Sequence, residues 1–282
     1  MNRTLSPARE RAQLPIGIFD SGVGGLTVLR AIAASLPAEP LLYLGDTARL
    51  PYGTKSAASV TRYALQATAH LVERGIKMLV VACNTASAVA MPALAAEFAP
   101  LPVIGVVEAG AEAAVRASRS GHIAVLATES TVRGGAYERA IRARRADACV
   151  YSQACSLFVA LVEEGWTRGP LVEAVAREYL QPLLVEKTRD DLDCLVLGCT
   201  HFPLLRETIL QVAGADVALV DSGETVAQAI ADTLAHQQLV HAPGSRGAHS
   251  FLATDDAARF ARVGSRFLGA NIALADVEQV DL

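Results

Sequence analysis

The chain has 282 residues, of which 52% are hydrophobic and 19% charged. That is enough apolar side chain for a large core and too much for a disordered segment. A formal net charge of −4 lacks the basic footprint that a phosphate backbone requires, which argues against nucleic acid as a partner.

Residues 1–14, "MNRTLSPARERAQL", carry charge without a following apolar stretch and are read as a loose arm. No window reaches the roughly 18 unbroken apolar residues of a membrane span, so a cytoplasmic protein without membrane attachment is expected. The first buried strand, "IGIF" at 16–19, ends in Asp20 and Ser21 and runs through Gly22, Gly24 and Gly25 into a helical stretch, "LTVLRAIAASL". These glycines lack the last glycine of a dinucleotide fingerprint and the Gly-Lys-Ser/Thr of a P-loop. A tight turn, or a seat for a small anion on free N–H groups, are the readings that stay open. "LLYL" at 41–44 leads into a polar loop with Pro51, Tyr52 and Gly53, and "MLVVA" at 78–82 ends in Cys83, Asn84 and Thr85.

"VIGVV" at 103–107 reads as another strand, and "IAVLA" at 123–127 ends in Thr128, with Thr131 one turn on. "CVYS" at 149–152, "LVEEGW" with Glu163 at a helix end, the helical "LVEAVAREYLQPLL", and "CLVLG" at 194–198 followed by Cys199, Thr200 and His201 come next. "VALV" at 217–220 is the last strand of the second unit. "LVDSGETVAQAIADTLA" at 219–235 and the tail "SFLATDDAARFARVGSRFLG" each read as strand then helix, and both are expected to complete the first unit. Strands alternating with helices predict an α/β fold: two similar α/β domains, their sheets mostly parallel, facing each other across a central cleft. The expected domains are residues 1–107 with 221–282, and residues 108–220. In such sheets ligands sit beyond the carboxyl ends of the strands.

An internal repeat supports this division. "IGIFDSGVGG" resembles "IAVLATESTVRGG", and "LVVACNTA" resembles "LVLGCTHF", so a thiol stands at the tip of a strand in each half. The five cysteines have no C-x-x-C spacing, which fits neither a disulfide framework nor a structural zinc site. A single cysteine in an apolar strand is ordinarily a small buried hydrophobe. Two at matching strand ends, each followed by hydroxyl, amide or imidazole groups, point instead to acid–base thiols, whose charged form needs nearby donors. Cys149, Cys155 and Cys194 lack that setting. Asp20 is open to an N-cap reading or to a role beside a thiol or an ammonium group. His201 is open to a surface reading or to proton exchange with Cys199. Glu163 reads as a solvated helix end unless it faces the cleft.

With "IGIFDSGVGGLTV", "YLGDTARLPYG", "VVACNTASA", "VIGVVEAG", "VLATESTVRGGAYE", "LVEEGW", "LVLGCTHFPLL" and "LVDSGETVA" in this order, the sequence resembles the glutamate racemase family of the aspartate/glutamate racemase superfamily. The resemblance implies an isomerase without cofactor or metal that interconverts L- and D-glutamate and supplies D-glutamate for peptidoglycan. It carries over Cys83 and Cys199 as two proton-transfer thiols, assisted by Asp20 and His201. Asp20, Ser21, Pro51, Tyr52, Gly53, Asn84, Thr85, Thr128, Thr131, Thr200 and His201 fall at substrate positions, with Glu163 as an assisting acid. Donors from Asn84, Thr85 and Thr200 are expected to hold carboxylates, and a homodimer is a candidate assembly.

Departures are few: Ser130 and Gly134 stand where the family usually has Gly and Ser. Ser156 and Ala160 replace prolines, a change expected to touch helix stability or hinge behaviour and not chemistry. The rival readings are a racemase for aspartate or another amino acid, whose aspartate members typically carry Glu at the place of His201, a non-catalytic amino-acid-binding module, and a thiol redox protein.

Overall fold

A computed structural model describes residues 7–184, 192–242 and 246–282; the first six residues of the expected arm lie outside them. The strands are β1 (Ile16–Asp20), β2 (Leu41–Gly45), β3 (Met78–Val81), β4 (Val103–Gly105), β5 (His122–Ala127), β6 (Cys149–Ala154), β7 (Leu192–Gly198), β8 (Ala218–Asp221), β9 (His249–Ala253) and β10 (Val277–Gln279). They form a six-stranded sheet in the order β10-β9-β2-β1-β3-β4 and a four-stranded sheet in the order β6-β5-β7-β8. Every pairing is parallel. The apolar runs are continuous because the central strands are covered on both faces: β1, β2 and β3 are buried at every residue.

The internal repeat is visible in the topology. The run β2-β1-β3-β4 of one sheet has the same order as β6-β5-β7-β8 of the other, so β3 and β7, the strands that precede the two cysteines, occupy the same slot. Parallel pairing then puts both strand tips at carboxyl ends, where α/β sheets open to ligands.

Four details differ from the expectations. "VIGVV" stops as a strand at Gly105, and a helix, Val106–Ala117, begins at once with Val106 and Val107 buried. The segment that opens 219–235 does not join the six-stranded sheet: β8 pairs with β7. Its helix, Ser222–His236, packs against both Leu26–Ser35 and Val106–Ala117 and so bridges the halves. A tenth strand, too short to show a pattern of its own, extends the six-stranded sheet beyond β9. Finally, Pro7–Ala12 is helical, and the carbonyl of Ala12 accepts from Lys77 Nζ at 2.8 Å. Lys77 is fully buried and paired with Glu39, which ties the end of the expected loose arm to the sheet.

Candidate active site

A cavity of about 260 Å³ lies where the two sets of strand tips meet. Both Cys83 and Cys199 line it, together with Ser21, Tyr52, Gly53, Asn84, Thr85, Thr128, Thr200, His201 and Glu163. The thiols are 5% and 6% exposed, so each has the cavity as its outlet.

On the first wall the chain leaves β3 extended through Cys83 and enters the helix Asn84–Val89. The Cys83 thiol donates to Ser21 Oγ at 3.6 Å. Burial pushes its pKa up to about 12, with the nearby Asp20 carboxyl adding to the rise, so the resting group is a protonated thiol. Asp20 is fully buried and does not line the cavity. Its Oδ2 accepts from Gly22 N at 3.0 Å, while Oδ1 has no hydrogen-bond partner among the described residues. Burial raises its pKa against the pull of His201 and the backbone N–H groups of the turn.

On the second wall Cys199 Sγ is 3.9 Å from His201 Nδ1. The other ring nitrogen, Nε2, donates to Glu163 Oε1 at 3.1 Å, and Glu163 Oε2 accepts from Arg259 at 2.7 Å. Burial alone would strip the imidazole of its proton; hydrogen bonds to Cys199 and Glu163 overcome it and hold the His201 pKa up to about 10. Glu163 is pulled below its ordinary value, because His201 and Arg259 outweigh its own desolvation. A chain of four groups therefore runs from one thiol toward solvent.

The loop after β1 closes onto this wall. A Cβ at Gly24 would lie 2.2 Å from Thr200 Oγ1 and 2.5 Å from His201 Nδ1, so glycine stands here for close approach and not for anion binding. Thr27 Oγ1 donates to the Thr200 carbonyl at 3.1 Å, another contact between the halves.

Comparison with known proteins assigns the chain to a family. The sequence profile of the Asp/Glu/Hydantoin racemase family matches residues 16–230. The chain belongs to this racemase family. It is 49% identical to a glutamate racemase of Geobacter metallireducens, over 95% of this chain and 96% of that one. Its fold matches a crystal structure of a glutamate racemase isoform from Bacillus anthracis with a TM-score of 0.89 and 37% identity, covering 95% of this chain and 98% of the other. A glutamate racemase from Francisella tularensis, crystallised with D-glutamate, matches with a TM-score of 0.87 and 34% identity, covering 96% and 98%. The two-domain α/β fold expected from the sequence is the fold of these racemases.

Within this racemase fold the remaining expected residues fall into two layers. Thr85 and Thr128 line the cavity, and their hydroxyls meet at 3.0 Å; Thr131 sits behind them, 3.2 Å from Thr85 and 3.0 Å from Thr128. Pro51, Tyr52 and Gly53 form one lip. The Tyr52 hydroxyl is turned away to Asp46, and Gly53 packs on Thr128 so closely that a Cβ would lie 2.8 Å from the threonine Cβ. Asn84 lines the wall, and its amide nitrogen is spent on Tyr137 Oη at 2.7 Å.

Several lining residues carried no signal in the sequence: Leu50, Thr54 and Val159 are ordinary residues until the fold gathers them. Ser156 and Ala160 also line the cavity, from the helix Ser156–Glu163. Ser156 and Ala160, which stand where the resemblance expects prolines, are therefore part of the cavity wall as well as of the helix. Arg259 was missed because it lies far along the chain, in the helix Ala257–Leu268.

Proposed function

We propose that the chain interconverts L- and D-glutamate by two-base proton transfer, with Cys83 and Cys199 as the transferring thiols. The observation that carries the reading is the placement of these thiols on one small cavity, at equivalent strand tips of two related sheets. Inversion at an α-carbon needs a base on one face and an acid on the other. One sulfur as thiolate takes the α-proton as the C–H bond breaks and its electron pair stays on the α-carbon. The opposite thiol then gives its S–H proton to the other face and becomes the thiolate; the reverse direction exchanges the roles.

The surroundings fit this division. Cys83, raised by burial, is a proton donor at rest. Cys199 has the His201 imidazole beside it, which stabilises a neighbouring thiolate while it keeps its proton. Hydroxyls of Thr85, Thr128, Thr200 and Ser21 are donors for carboxylates and for the charge that builds on the α-carboxylate in the transition state. Asp20 acts from behind the lining, through its charge on Cys83 and its bond to the turn.

Biologically the reaction supplies D-glutamate for peptidoglycan, in the cytoplasm, from a homodimer without nucleic-acid partners. Among the described residues no helix is long and apolar enough to cross a membrane. The test is incubation of the purified protein with L-glutamate without added cofactor, followed by circular dichroism. Decay of the signal to zero supports the reading. A constant signal for glutamate with decay for aspartate would move the substrate to the smaller acid.

A further inference from the structure

Asn84 is 3% exposed and lines the cavity, yet its Oδ1 has no hydrogen-bond partner among the described residues. Its Nδ2 lies 2.7 Å from Tyr137 Oη and 3.5 Å from Ser222 Oγ; the tyrosine oxygen lies 3.0 Å from Ser222 Oγ, which in turn reaches the Leu197 carbonyl at 3.5 Å. The direction of this chain is set at its far end. A carbonyl can only accept, so the Ser222 proton goes to Leu197; the Tyr137 proton then goes to Ser222, and the tyrosine oxygen is left to accept from Asn84. The amide must therefore give its N–H to the interior and keep its carbonyl oxygen for the cavity.

Resting on the amino-acid racemase reading above, we infer that Tyr137 and Ser222 are positioning residues that lock Asn84 as an acceptor for the ammonium group of the substrate. This reverses the donor role expected for Asn84 toward carboxylates. A buried amide oxygen without a partner is costly, and an ammonium has three donors and no acceptor, so it is the part of an amino acid this atom can take. The relay also spans the two halves. Asn84 follows Cys83, while Leu197 is two residues before Cys199 and Ser222 opens the bridging helix. Tyr137 fits without slack, since a Cβ on Gly198 or Gly110 would lie 3.2 Å from its ring.

The test compares glutamate with glutarate, the same dicarboxylate without the ammonium. Tyr137→Phe removes both the nearer acceptor for Asn84 and the donor to Ser222 while keeping the ring. The expected result is a glutamate KM raised about tenfold with the glutarate inhibition constant unchanged, which corresponds to roughly 1.4 kcal/mol of lost selectivity. Ser222→Ala is expected to move the same ratio in the same direction by less, and covers the case in which the tyrosine variant folds poorly. An unchanged ratio of the two constants in both variants would overturn the inference, because a purely structural role weakens both ligands alike. Failure of the underlying reading is distinct: the unsubstituted protein would then not turn over glutamate at all.

Discussion

Glu163 receives His201 Nε2 on one carboxylate oxygen at 3.1 Å and Arg259 on the other at 2.7 Å. A single side chain thereby orients the imidazole beside Cys199 and is itself held by a residue of the helix that follows β9, in the opposite half of the chain. The first prediction follows from the signs. His201 stays protonated up to about pH 10 because its hydrogen bonds to Cys199 and Glu163 outweigh its burial. Glu163→Gln removes the charge from one of them, so the imidazole loses its proton at lower pH and the alkaline limb of kcat/KM moves down, with a rate loss of about 10²-fold. Arg259→Met acts on the acid side: without the guanidinium, Glu163 takes up a proton at higher pH and the acid limb moves up, while Arg259→Lys restores it. Full pH profiles of the three variants check both directions.

Gly24 gives a steric prediction. An added methyl would overlap Thr200 Oγ1 and the His201 ring, both in the wall that holds Cys199. Gly24→Ala is expected to cost about 1–3 kcal/mol in stability through overpacking. Because a shift of about 1 Å is enough to cost about 10² in rate, it should also lose activity out of proportion to that stability. Thermal melts alongside kcat separate the two effects.

Much of this arrangement was legible in the sequence and some was not. The strand cores were readable because parallel strands buried on both faces are continuous apolar runs, and the two cysteines were readable because their settings repeat. The sequence pattern thus places Cys83, Cys199, Asn84, Thr85, Thr128, Thr200 and His201 at strand tips, and they share one cavity. The depth of each residue was not readable. Asp20 and Thr131 belong to the same tips but lie a layer behind: Asp20 still stands in β1, where successive side chains point to opposite faces, and Thr131 lies within the helix Glu129–Gly134. The Tyr137–Ser222 relay and Arg259 join elements distant in sequence, and no local pattern announces such a meeting. The start of the helix at Val106 was hidden because a buried helix face and a short buried strand have the same composition.

The buried pair Lys77–Glu39 supports a prediction independent of the site. Lys77 is fully buried and its ammonium also binds the Ala12 carbonyl; the second oxygen of Glu39 accepts from His241 N at 2.8 Å. Lys77→Met strands the glutamate in an apolar setting and is expected to destabilise by about 3–5 kcal/mol. Combining it with Glu39→Gln should recover part of that. Urea denaturation measures the loss, and the specific activity of the folded fraction should not change.

The two-base account requires each thiol to own one face of the substrate. The cysteines sit on different walls of the cavity, at the tips of β3 and β7, so removing one should leave the other able to act on a single enantiomer. Cys83→Ala and Cys199→Ala are both expected to lose racemisation by more than about 10³-fold with unchanged far-ultraviolet circular dichroism. Proton NMR of α-hydrogen exchange in heavy water, run on each variant with L- and with D-glutamate, tests this most directly. The account predicts that one variant exchanges only the L-enantiomer and the other only the D-enantiomer, without inversion. Exchange of the same enantiomer by both variants, or full racemisation by either, would contradict it.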